Sequence, residues 1–314
     1  AYNFDTGTIT ADGIKLEIGS VGGTLTQFVI QNLTVLDQTD MDHSLHGRPW
    51  TIIGTIKKNP VAPNAELNAY TNWSPSNYMI YDGVTGPGTA DFCVMFWCKT
   101  PNVSPGEGYF HAWSHGTSST GGQNSSSGFS IKAHNDNSAG FRWYVYSGNG
   151  NGVQGITNTD CIQPYGSWCL ITVGRHNGVW EVWINDELRS QGNSNSTNFS
   201  DSYVQIGKDK SNINEQVPNT SLALMRYSQD WFPDGSMIRK VYKDEISFYG
   251  EGAKHTLHGT SHEIRSMAFD PDTKILHVGT SQGRSDFRGL IRINNTTTGI
   301  SKCLHASGGI IAEV

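Results

Sequence analysis

Charge is scarce in this sequence: Asp, Glu, Lys and Arg make up 16% of its 314 residues. The 22 basic residues are outnumbered by 28 acidic ones, giving a net charge of −6, and they form no cluster. A nucleic-acid partner requires a basic patch that releases phosphate counterions, so none is expected. Long apolar runs are missing as well. No stretch reaches the roughly 18 residues of a membrane-spanning helix, and the first residues lack a secretory-leader pattern. Membrane insertion is not expected.

Cysteine is sparse and odd in number: Cys93, Cys98, Cys161, Cys169 and Cys303. There is no Cys-x-x-Cys pair, and Cys93 and Cys98 have opposite parity on one strand-like run, so they cannot join each other. They read as small buried apolar residues, without a disulfide framework or zinc site. Catalytic motifs are absent too. Neither Gly-x-Ser-x-Gly nor His-Glu-x-x-His occurs, and "GNGNG" at 148–152 lacks the strand-to-helix setting of a dinucleotide loop. His255, His258 and His262 read as loop histidines, with a structural metal held by such side chains from neighbouring subunits as the alternative. Glu181 and Glu187 share a strand parity, but six residues separate them by roughly 20 Å of strand. Paired glycosidase carboxylates need about 5–5.5 Å in the retaining class, so both read as solvated positions. The chain is expected not to be an enzyme.

What is abundant is turn chemistry and aromatics. Glycine numbers 36, aromatic residues are 11%, and Asn, Ser and Thr recur throughout. This is the profile of an all-β chain with many turns. The clearest segment is "GSWCLITVGRHNGVWEVWINDELR", Gly166 to Arg189. Asn177-Gly178 suits a type I′ hairpin turn, whose two central residues take positive φ. Opposed residues then sum to 355: Ile171 faces Ile184, Val173 faces Val182, and Arg175 faces Trp180 on one core face. Thr172 against Trp183 and Gly174 against Glu181 form a mixed face, where Trp183 is the candidate contact. "DFCVMFWCK", from Asp91 to Lys99, is apolar on both faces, as a central strand buried on both sides should be. A second hairpin brackets residues 135–140. "DGSMIRKVYKDE" switches to helical spacing, with Asp234 or Ser236 placed to cap it. Beyond residue 250, two strands flank Asp270-Pro-Asp-Thr, and "GLIRINNTTTG" supplies a third. Three segments are therefore expected: a β segment at 1–65 for attachment or oligomerisation, a β-sandwich at 66–250, and a further β segment at 251–314. The final Gly308-Gly-Ile-Ile-Ala-Glu-Val314 reads as continuing into a longer chain.

The middle segment resembles the concanavalin A-like, laminin G-like family of β-sandwiches. The resemblance lies in the Trp97-bearing strand, in Gly166-Ser-Trp168-x-Leu-Ile-Thr-Val173, in the Asn-Gly hairpin with "WEVWINDE", and in "LALMRYSQDWFPDGSMIRKVYKDE". It implies an antiparallel jelly-roll sandwich flanked by smaller β modules. The last segment is similar to one blade of a β-propeller. Relatives of the sandwich bind glycans or calcium at a loop end, so calcium is the one cofactor left open. Counting strands places loops 115–127, 148–153, 176–178 and 208–220 at one end, and loops 100–107, 135–140 and 186–202 at the other. The first end gathers Trp113, His115, Asn124, Asn149, Asn151, Asp209 and Asn212. Amides and an aromatic ring together suit sugar hydroxyls and C–H faces.

The resulting expectation is a non-catalytic host-receptor-binding protein of a virus particle, a tail fibre or spike, that recognises a cell-surface glycan. Its other partners would be virion proteins and its own copies in a homotrimer, and its place the virion or the extracellular space. A purely structural virion component and a glycan-cleaving enzyme on the same fold are the alternatives.

Overall fold

The computed structural model of the chain describes residues 33–34, 50–102, 108–122, 124–137, 139–147, 160–209, 219–261 and 263–314. They fall into two compact units. One holds residues 50–63 and 68–249, the other residues 33–34, 64–67 and 250–314. Counting along the chain, β1 (Leu33–Thr34) belongs to the smaller unit. The larger unit opens with β2 (Thr51–Ile53), β3 (Lys57–Pro60), β4 (Asn68–Thr71), β5 (Tyr78–Asp82), β6 (Phe92–Lys99), β7 (Tyr109–Gly116) and β8 (Phe129–Asn137). It continues with β9 (Gly140–Ser147), β10 (Ile162–Pro164), β11 (Trp168–His176), β12 (Val179–Ile184), β13 (Glu187–Ser194), β14 (Tyr203–Ile206) and β15 (Ser221–Gln229). Helix α1 (Gly235–Glu245) and a 3-10 turn (Ile246–Tyr249) close it. The smaller unit adds β16 (Glu263–Asp270), β17 (Ile275–Thr280), β18 (Gly283–Arg288), β19 (Ile291–Asn295), β20 (Leu304–Ser307) and β21 (Ile310–Glu313).

The larger unit is an antiparallel β-sandwich. Its first sheet runs β10-β9-β8-β7-β14-β5-β2 and its second β13-β12-β11-β6-β15-β4-β3. Aromatic side chains from the two inner faces meet in the core. Phe92 of β6 lies 4.7 Å from Phe129 of β8, and Phe96 lies 5.4 Å from Trp143 of β9, ring centre to ring centre. The β11–β12 hairpin has the expected register, Ile171 to Ile184 through His176 to Val179. Asn177 and Gly178 take φ of 51° and 76°, as the type I′ turn requires. Arg175 is fully buried on the core face. Its guanidinium bonds the carbonyls of Ala90 (Nε, 2.9 Å), Gly88 (Nη2, 2.7 Å) and Thr197 (Nη1, 2.8 Å), and it lies 5.0 Å from the centre of the Phe199 ring.

Strand β6 is buried on both sides for two different reasons. Phe92, Val94, Phe96 and Cys98 enter the core between the sheets. Trp97, on the opposite face, is covered by Tyr242 of α1 and by Tyr249, at 5.8 and 4.3 Å. Asp234 caps α1 by accepting the Met237 N–H at 2.9 Å. At the far end, Glu245 accepts the Trp97 Nε1–H at 2.8 Å and pairs with Arg226 at 2.5 Å. Trp183 is not open to a ligand: it is 8% exposed. The start of α1 lies against its ring, where a Cβ on Gly235 would come within 2.6 Å. Glu181 is likewise buried, not solvated. It accepts the Trp183 Nε1–H at 2.8 Å and bonds His176 at 3.1 Å and Gln191 at 3.2 Å.

Of the cysteines, four are buried and Cys303 is half-buried, and all five are free thiols. In the smaller unit, β1-β16-β17-β18-β19 form one antiparallel sheet and β20–β21 a separate hairpin. The Asp270 turn is as expected, with Asp270 accepting the Asp272 N–H at 2.9 Å. Strand β18 is an addition to the three strands anticipated there. Its charged residues disguise it: Asp286 is buried and bonds His277 at 2.6 Å, Arg284 at 2.8 Å and Asn294 at 3.1 Å.

Candidate functional site

Among the described residues, Asp209 does not lie at the loop end expected of it. Strand β14 runs antiparallel to β7, with Tyr203 opposite Gly116, so loop 195–202 joins loop 117–128 at that end. His115 donates from Nε2 to the Asp201 carbonyl there, at 2.7 Å. The chain leaves β14 at the opposite end, where the Gly207 N–H reaches the His111 carbonyl at 2.9 Å. The cause is strand β13. Residues 186–202 read as one loop in sequence, but they hold an extra strand, which reverses the direction of β14.

Trp113 and His115 are buried on the core side of β7. The Trp113 ring lies 5.2 Å from Tyr227, and that of His115 lies 5.2 Å from Phe129. Burial pushes the His115 pKa down to about 4. Asn124 is exposed in the loop between β7 and β8. Asp209 is buried on the outer side of the first sheet, accepting the Ser114 Oγ–H at 2.7 Å. Asn149, Asn151 and Asn212 lie outside the described residues.

The outer side of the first sheet is where chemistry concentrates. The pleat points Phe141, Trp143 and Val145 of β9 inward, leaving Arg142, Tyr144 and Tyr146 outward. The register lays these beside Ser130, Lys132 and His134 of β8, with Tyr146 opposite Ser130, Tyr144 opposite Lys132 and Arg142 opposite His134. Those in turn face Ser114, His111 and Tyr109 of β7. A bulge at Ala112 puts His111 and Ser114 on the same side. Gln205 of β14 extends the row beyond Ser114.

This three-by-three grid has a charged centre. The Lys132 ammonium sits 4.0 Å from the Tyr109 ring centre and 4.2 Å from that of Tyr146, and the residue is 3% exposed. Such contacts each contribute about 0.5–2 kcal/mol and fix the cation's position. Tyr109 stacks on His134 at 3.9 Å. Around the centre, Tyr109, His134, Arg142, Tyr144 and Tyr146 are half-buried and reach the surface. Beneath them, His111 bonds Ser130 at 3.1 Å through Nδ1, while its Nε2 is buried without a partner. Burial pushes the His111 pKa down to about 4, against the pull of Asp209 and with the help of Lys132. The side-chain oxygen of Gln205 is also buried without a partner. Each such orphan costs about 1–3 kcal/mol, a burden that functional surfaces commonly carry.

Sequence reasoning looked to loops for function and missed Tyr109, Lys132, His134, Arg142, Tyr144 and Tyr146. The available signal was the alternation in "GFRWYVYSG", which sets two tyrosines and an arginine opposite three core residues.

Residues 75–220 match the model of a family described as the concanavalin A-like lectin/glucanases superfamily. The sandwich has the concanavalin A-like fold. Among solved structures, the receptor-binding domain of botulinum neurotoxin C/D mosaic serotype is 13% identical. That match covers 78% of this chain and 58% of the other, with a TM-score of 0.46. The botulinum neurotoxin serotype D ligand-binding domain in complex with N-acetylneuraminic acid is also 13% identical, over 85% and 62% of the two chains, with a TM-score of 0.49. Domain 4 of AbnA, an extracellular arabinanase from Geobacillus stearothermophilus, is 15% identical over 62% and 88%, with a TM-score of 0.41. The chain spans about three fifths of the length of the neurotoxin domains it matches. A comparison with curated proteins returned no match. At such identities and TM-scores these structures carry no argument for this chain, and the grid is judged on its own chemistry.

Proposed function

We propose that the concanavalin A-like sandwich is a non-catalytic carbohydrate-binding module. The grid on the outer side of its first sheet carries the reading. Half-exposed rings of Tyr109, Tyr144 and Tyr146 supply flat surfaces for the C–H faces of a sugar. Groups that bond hydroxyls lie among them, with Arg142 and His134 at the surface. Glu181, the one carboxylate on the central hairpin that could have been half of a hydrolytic pair, is held in the scaffold by His176, Trp183 and Gln191. The wider setting read from the sequence belongs to the same proposal. A virion appendage would present this module to a host-surface glycan from a trimer, and mass measurement by light scattering tests the trimer.

The test of the module is binding of the purified chain to a broad glycan array, run once with calcium and once with EDTA. A defined set of glycans should bind, and Tyr144→Ala and Tyr146→Ala should each weaken that binding at least tenfold. Loss in EDTA would show a metal-bridged contact. No binding under either condition overturns the module reading and leaves the sandwich as architecture.

A further inference from the structure

The margin of the helix-covered face holds an apolar recess that the carbohydrate reading does not use. It lies wholly within the larger unit, has a volume of about 190 Å³ and is half-open to the surface. Its floor is the outer face of β6, where the pleat that sends Phe92 and Val94 into the core turns Cys93 and Met95 outward. Ser228 and Arg226 of β15 lie beside them, opposite Cys93 and Met95 in register. Met237 and Val241, one turn apart on α1, form the roof. Pro233 and Trp231 close the side. The Trp231 carbonyl accepts the Ser228 Oγ–H at 2.9 Å, which ties the turn carrying this ring back to β15. Trp231 is 49% and Met237 44% exposed, so both stand at the mouth.

We propose that this recess binds a small uncharged aromatic molecule, one ring deep. The inference stands apart from the carbohydrate reading. Size sets the first limit: an apolar cavity of about 150 Å³ is enough to take up benzene, so a single ring fits here. The walls set the second. Cys93, Met95 and Met237 all carry sulfur, and a thioether makes favourable contacts with the edge of an aromatic ring. The Trp231 ring adds a flat surface on which another ring packs offset or edge-on. Filling the recess also takes the exposed parts of Trp231 and Met237 out of water. Charge sets the third limit. Arg226 is the charged residue of the lining, and Glu245 already pairs with it at 2.5 Å, while its Nη1 rests on the Met95 sulfur at 3.8 Å. An ionised ligand would lose its hydration here without gaining an unmatched partner.

The experiment follows isotope-labelled methionine methyl groups of the full chain by NMR, with benzyl alcohol, cyclohexylmethanol and benzoate as matched probes. The Met95 and Met237 signals, assigned through Met95→Leu and Met237→Leu, should shift saturably with benzyl alcohol, half-saturating at or below about 1 mM. The signals of Met79, in the core, and of Met267, in the smaller unit, should stay in place. Cyclohexylmethanol should bind at least about threefold more weakly, lacking the sulfur–ring contacts, and benzoate at least about tenfold more weakly. Val241→Phe should fill the recess and weaken benzyl alcohol at least tenfold. Should that variant fold poorly by thermal melting, Trp231→Ala takes its place and should weaken binding several-fold. No saturable shift up to about 10 mM overturns the proposal. So does cyclohexylmethanol or benzoate binding as tightly as benzyl alcohol, or binding that survives the folded variant. Glycans play no part in this readout, so failure here leaves the carbohydrate reading standing.

Discussion

Arg175 offers the sharpest test of how the sandwich is held together. Its guanidinium is sealed in the core, with backbone carbonyls as its main partners. Replacing it with Met keeps an apolar stem of similar reach and removes five N–H donors. The Gly88 carbonyl would still receive the Phe199 N–H at 2.9 Å. The Ala90 and Thr197 carbonyls would lose their charge-assisted bonds, at about 1–3 kcal/mol each. Relief from burying a cation offsets part of this, so Arg175→Met should cost about 3 kcal/mol. Arg175→Lys separates charge from shape. A lysine retains the charge but offers three donors on a compact head that cannot span residues 88, 90 and 197 together. It should therefore be no more stable than the Met variant. Urea unfolding followed by tryptophan fluorescence is the assay, and it reports on this unit alone, because all nine tryptophans lie between residues 50 and 231. A loss below about 1 kcal/mol in the Met variant, or wild-type stability in the Lys variant, would refute the argument.

Two further outcomes concern buried titratable groups. His111 and His115 have folded pKa values pushed down to about 4 by burial, against about 6.5 when unfolded. Their contribution is therefore complete above pH 6.5 and is lost as pH falls toward 4. By pH 4.5 each should have cost about 2–3 kcal/mol, and a flat urea midpoint between pH 7 and 4.5 would contradict this. Burial likewise raises the thiols of Cys161 and Cys169 to about 11. In the native protein at pH 8, a thiol reagent should modify half-buried Cys303 first, and rapid reaction of all five thiols would show an open core.

Local chemistry decided how much of this fold was legible in the sequence. The Asn177-Gly178 turn fixes its own strand register, and double burial of β6 comes from a run with no polar face. Asp234 declares the helix start because its side chain closes the first turn. Strand β13 was hidden because "ELRSQGNS" has no alternation to betray it. Leu188 is 44% exposed, and the pairing with β12 is broken by bulges. One hidden strand reversed the direction of β14 and moved Asp209 from a loop end to a sheet face. The grid was hidden for another reason. Tyr109, Lys132 and Tyr146 meet through the register of three strands, with a bulge at Ala112, and neither feature is written in any short stretch.

The two outer faces of the sandwich differ in what covers them, and that difference bears on where a ligand can reach. On the second sheet, α1 and the 3-10 turn cover Trp97 and Trp183, while Glu245 ties Trp97 and Arg226 together. That surface is closed by the helix and its flanking rings, and it too holds unpaired buried atoms, Thr172 Oγ1 and the Tyr249 hydroxyl. The first sheet has no helix over it among the described residues, and it buries polar groups that are not all matched. His111 Nε2 and the Gln205 oxygen are unpaired. Each orphan works against folding by about 1–3 kcal/mol. Both faces carry that cost, and they differ in that a helix covers one while half-buried rings and basic groups reach the surface of the other. The uncovered face is the one on which a site can draw on the stability supplied by the rest of the fold.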